Sequence, residues 1–89
     1  METAPVIEVD ARGHRCPVPT LRLRRALEGA PAGAEVRLLA DDPLAAVDVP
    51  HFARQAGVEL LQVTEAPDGG RLFRLRAAGA PAATSQALR

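Results

Sequence analysis

The stretch "VIEVDARGHRCPVPTLRLRRALEG", residues 6–29, changes its hydrophobic period midway, and that change decides the fold. Over residues 6–10 apolar and acidic side chains alternate, which puts Ile7 and Val9 on one face of a short strand and Glu8 and Asp10 on the other. Gly13 breaks the run. From Pro17 the spacing turns helical: Leu23, Ala26, Leu27 and Ala30 fall at i, i+3, i+4 and i+7, while Arg22 and Arg25 point away. The only cysteine of the chain, Cys16, stands where strand spacing gives way to helix spacing.

Working outward, "GAPAG" (residues 29–33) carries the glycine and proline that stop a helix, and "EVRLLA" (35–40) reads as a second strand closed by Asp41, Asp42 and Pro43. The next helix is expected from about Val49 to Ala56, because Asp48 is a good N-cap and Pro50 is tolerated only in a first turn. After Gly57, residues 58–66 and 71–77 are strand candidates on either side of "PDGG" (67–70), a turn signal for an antiparallel hairpin with Phe73 and Leu75 inward. The order is βαβαββ. Two helices and four strands in so short a chain are most economically placed as a two-layer α/β sandwich, both helices on one face of a four-stranded mixed sheet. Residues 1–5 and the small-residue tail 78–89 are expected to be flexible, leaving 6–77 as one domain.

Composition narrows the function. Eighty-nine residues make one small domain with a thin core, and with only Phe52 and Phe73 as aromatics that core must be aliphatic. Eleven basic residues balance eleven acidic ones, so the chain has no electrostatic footprint for nucleic acid, and two phenylalanines are a poor platform for stacking bases. All eleven basic residues are arginine, which excludes Schiff-base chemistry. One cysteine allows no internal disulfide and no multi-cysteine metal site; with no signal peptide and no apolar run long enough to span a bilayer, the expectation is a reduced, cytoplasmic protein without membrane insertion.

If a helix starts at Pro17, Cys16 lies at its N-terminal end, where unpaired N–H groups and a partial positive charge favour an anion. Cysteine pKa values fall at such sites and beside cations, and Arg12, His14 and Arg15 are close in sequence. Pro17 and Pro19 stiffen the first turn, Gly13 lets the incoming loop bend, and the N–H groups of Val18 and Thr20 are left to face sulfur. Such a thiolate would attack a donor persulfide, hold the terminal sulfur and yield it to an acceptor. A cysteine hydrolase would need a partnered base, yet His14 is too near in sequence for easy in-line pairing, and His51 requires the two helix starts to be adjacent.

"VDARGHRCPVP" and "LADDPLAAVDVPHF", in this order and spacing, resemble the TusA/SirA family of sulfur carriers over roughly residues 6–77. The hallmark is Cys16-Pro17-Val18-Pro19. The resemblance implies the same βαβαββ sandwich and a covalent cysteine persulfide on Cys16 with no other cofactor; the local reading adds thiolate support from Arg15, Gly13, Pro17 and Pro19 and expects no metal. It implies a cysteine desulfurase or rhodanese-type donor and a downstream acceptor serving tRNA thiolation, molybdenum cofactor synthesis or dissimilatory sulfur metabolism. Arg24 and Asp42 fall at positions associated with partner docking. Taken without the resemblance, Arg24 is a solvated helix arginine, Asp41 and Asp42 are strand-end residues, and Asp48 is an N-cap. Val18 departs from the polar residue common between the two prolines. The competing reading is a non-catalytic interaction or regulatory module, or a thiosulfate-transport accessory, with a structural cysteine.

Overall fold

A computed structural model of the chain describes residues 5–66 and 69–78. The elements are β1 (Val6–Asp10), α1 (Val18–Glu28), β2 (Glu35–Ala40), α2 (Ala45–Ala56), β3 (Glu59–Glu65) and β4 (Arg71–Arg76), in a single sheet ordered β1-β2-β4-β3. β1 and β2 are parallel, as a helical crossover requires, and β4 pairs antiparallel with both β2 and β3. This is the expected mixed-sheet sandwich. The tip of the β3–β4 hairpin at residues 67–68, and nearly all of the two termini expected to be flexible, lie outside the described residues. Pro5 is tied in, its carbonyl accepting from Glu35 N–H at 2.9 Å.

The core forms where inward positions of the central strands meet the two helices. Val36 and Leu38 of β2 pair in register with Leu75 and Phe73 of β4, and all four are fully buried. Leu23 and Leu27 cover them from α1, and Ala45, Val49 and Ala53 from α2, whose small side chains let its backbone come close to the sheet. Ala11, immediately after β1, is also fully buried, and its N–H continues the ladder to Leu39 O at 2.8 Å.

α2 starts earlier than its sequence suggests. It begins at Ala45, with Asp48 already in the first turn and Pro50 inside the helix rather than at its start. Asp42 supplies the missing cap: its Oδ1 accepts from Leu44 N–H at 3.0 Å, and the entry is wound tightly by bonds from Ala45, Ala46 and Val47 to the carbonyls three residues back. Asp48 is therefore free for another partner.

The other sheet face carries a charge ladder. Glu35 accepts from Arg37 Nε and Arg74 Nε, both at 2.7 Å, and Arg74 Nη1 reaches Gln62 Oε1 at 2.6 Å. The Arg74 and Arg37 guanidiniums hold the Glu35 carboxyl down to about 2. A carboxyl whose pKa is lower folded than unfolded contributes stability that is present above the unfolded value and lost as pH falls through the folded one. Wild type should thus lose stability between about pH 5 and pH 2 more steeply than Glu35→Gln, as urea melts at pH 7 and pH 3 will measure.

Candidate functional site

Because β1 and β2 are parallel neighbours, their C-terminal ends lie at the same sheet edge, and the loops that follow them meet there. The first loop turns at Gly13, whose φ of +84° is a conformation that favours glycine. Two successive aspartates of the second loop fasten it. Asp41 accepts from Gly13 N–H at 3.0 and 3.2 Å, and Asp42 Oδ2 accepts from Cys16 N–H at 2.6 Å. Asp42 thereby joins Cys16 to the start of α2 with one carboxylate. The Cys16 and Leu44 N–H groups, with the Arg15 charge beside them, hold that carboxyl below the usual range.

An open cleft of about 560 Å³ lies over this junction, lined by residues 13–16 and 41–44. Cys16 is half-buried in its lining, packed against the core, and its peptide bond to Pro17 is cis. Pro17 caps α1 and Pro19, in the first turn, is buried. The thiol does not face its own loop alone. The charge of the Asp48 carboxylate on α2 and the Thr20 hydroxyl on α1 also act on it. Thr20 Oγ1 is buried with no partner of its own at hydrogen-bond distance.

These surroundings reverse one expectation. Burial, the hydrogen bond and charge of Asp48, and the charge of Asp42 push the Cys16 pKa above the ordinary thiol value, with only Thr20 acting the other way. The reason lies in the same residues that suggested a thiolate. Of the four N–H positions that a helix start leaves unpaired, Pro17 and Pro19 have none, and Val18 N–H donates to Arg15 O at 2.9 Å. At most Thr20 remains. Arg15 is exposed, and its charge acts on Asp42.

The remaining candidates are spread out. His14 and Arg15 line the cleft and His51 is exposed on α2. Arg24 lies exposed on α1, with Nε 3.9 Å from Glu28 Oε2. Arg12 grips Asp10 through Nε and Nη2 at 3.0 and 2.8 Å, and Arg22 Nη1 donates to Asp10 O at 3.1 Å, tying α1 to the end of β1. Among the described residues no three His, Cys, Asp or Glu side chains gather as a metal site, and no helix is long and apolar enough to cross a membrane. Sequence reading placed the Thr20 N–H near sulfur but missed its hydroxyl, and missed the Asp48 carboxylate, as groups that act on it. A helix begun at Ala45 would have exposed the carboxylate, since Asp48 then lies three residues after buried Ala45 and four before Phe52.

The profile of the sulfurtransferase TusA family matches residues 7–76. A putative sulfur carrier protein of Archaeoglobus fulgidus is 39% identical over 62 residues, covering 70% of this chain and 80% of that protein. The sulfur carrier protein TusA of Allochromatium vinosum is 38% identical over 68 residues, 76% of this chain and 87% of its own. Among solved structures, a SirA-like protein of Desulfitobacterium hafniense superposes with a TM-score of 0.72 at 29% identity, over 81% of this chain and 97% of that one.

Proposed function

The chain belongs to the sulfurtransferase TusA family, and from that premise we propose that it is a sulfur carrier whose Cys16 takes sulfane sulfur from a donor protein as a persulfide and passes it on. One observation carries the reading: the lone thiol, in Cys16-Pro17-Val18-Pro19, is half-buried in the lining of an open cleft. With no second cysteine in the chain, sulfur is resolved by another protein and not internally. The carrier alone has little turnover. A cysteine desulfurase or a rhodanese-type enzyme fits as donor, and the acceptor serves tRNA thiolation, molybdenum cofactor synthesis or dissimilatory sulfur metabolism.

Intact mass after incubation with a cysteine desulfurase and cysteine tests this. Wild type is expected to gain one sulfur atom, about 32 Da, removable by dithiothreitol, and Cys16→Ser to gain none. No adduct on wild type, or an equal adduct on Cys16→Ser, sinks the proposal. A second reading, an interaction or regulatory module with a structural cysteine, draws on the upward-shifted thiol. It predicts slow alkylation together with no sulfur uptake, whereas a carrier takes up sulfur even where its resting thiol alkylates slowly.

A further inference from the structure

A four-stranded sheet has two edges, and in this chain they are finished differently. β3 carries a register irregularity between Leu60 and Gln62, the kind of bulge that spoils an edge for further pairing. β1 pairs regularly with β2 over all five of its residues and has no strand on its other side. We propose that the β1 edge is a strand-addition site: it takes an extended segment of a partner protein, pairs it backbone to backbone with Val6 and Glu8, and seats its acidic and apolar side chains against α1. This goes beyond the sulfur-carrier reading and does not depend on it.

The ladder fixes which backbone groups are on offer. Glu35 N–H donates to Pro5 O at 2.9 Å and Ala11 N–H to Leu39 O at 2.8 Å, so residues 5 and 11 turn their backbone groups toward β2. The two-residue period of a strand puts Ile7 and Val9 in the same set and leaves Val6, Glu8 and Asp10 pointing off the sheet. Arg22 agrees with that direction, its Nη1 reaching Asp10 O from α1 at 3.1 Å. Val6 and Glu8 thus present N–H and C=O groups that no strand among the described residues takes up.

A groove of about 550 Å³ lies beside this edge, with Val9, Val18, Leu21 and Arg25 in its walls. Val18 and Leu21 are large apolar residues left exposed. Arg25 is also exposed and makes no ion pair among the described residues, whereas Arg24 one position earlier has Glu28. An added strand would alternate between two environments. Its helix-side positions lie over the groove, where apolar groups meet Val18 and Leu21 and a carboxylate meets Arg25; its other positions lie beside Glu8 and Asp10, where acidic groups are repelled. Main-chain bonds then give affinity, and alternate side chains give specificity. The same charges disfavour a second copy as occupant, since antiparallel β1 pairing centred on Glu8 sets Glu8 against Glu8.

The probe is a synthetic peptide, acetyl-Thr-Val-Thr-Glu-Thr-Leu-Thr-amide, titrated into the full-length chain and followed by amide NMR. Saturable binding with Kd near or below about 1 mM is expected, with shifts confined to β1 and α1 and slower hydrogen exchange at the Val6 and Glu8 amides. Replacing the peptide's glutamate by lysine should weaken binding roughly fivefold, and in Arg25→Glu that preference should invert. Glu8→Pro removes one outward donor but leaves Ile7 and Val9 on the ladder, a place where an edge strand tolerates proline, and should abolish binding. Should Glu8→Pro fail to fold, the Arg25→Glu inversion decides alone. Cys16→Ser should bind as wild type does, so this site and sulfur uptake are read separately. No saturation at millimolar peptide, binding without protection of the Val6 and Glu8 amides, binding retained in folded Glu8→Pro, or an unchanged charge preference in Arg25→Glu overturns the inference. So does dimerisation of the free chain that protects the same two amides, which makes the occupant a second copy.

Discussion

A Phe73→Ala chain is expected to lose about 3–5 kcal/mol of stability, the usual range for truncating a buried phenylalanine. Phe73 is fully buried in β4, opposite Leu38 of β2 and Val63 of β3, at the centre of the sheet. The neighbours that would have to collapse onto the cavity are strand residues held in register on both sides, so little of it can be refilled. A chain of this length has on the order of 4–13 kcal/mol in total. The thermal midpoint should drop by roughly 15–30 °C. A drop under about 5 °C by circular dichroism would mean that the core is not organised around β4.

Asp42→Ala should act on stability and chemistry together. The carboxylate is the acceptor for Cys16 N–H and Leu44 N–H, so its loss uncaps α2 and frees the cysteine loop in one change. We expect the midpoint to fall by roughly 5–10 °C, in the range for a lost helix cap. Cys16 should alkylate faster at pH 7, since one of the negative charges holding its pKa up is gone. Hydrogen exchange at the Cys16 and Leu44 amides reads the cause, and retained protection there would contradict it. The sign with pH is fixed as well. Because the Asp42 carboxyl titrates below its ordinary range in the fold, its contribution is present above the unfolded carboxylate pKa and vanishes as pH falls through the lowered folded value. A partner-docking role for Asp42 therefore has to be tested with the fold checked in parallel.

Much of this architecture was legible in local pattern. The alternation in residues 6–10 and 35–40 and the helical spacing through Leu23 and Leu27 gave β1, β2 and α1 to within a residue, because each buries one face of a regular element. The start of α2 was not legible. Asp48 before Pro50 mimics a cap, while the residue that caps is Asp42, chosen by a contact to Cys16 across 26 residues that no local spacing reveals. Cys16 was marked out by its prolines, but its electrostatics were misjudged, since those prolines remove the N–H groups that would have favoured an anion. What surrounds sulfur is set by how α2 lies against α1, which is tertiary information.

The latch from Asp42 to Cys16 also has a meaning in time. A ribosome adds about 5–20 residues per second, so the 26 residues separating the two take roughly 1–5 s to synthesise. Throughout that interval neither carboxylate that acts on Cys16 has been made. The surroundings that push the Cys16 pKa up are thus completed late, after the segment bearing the only cysteine has already been made.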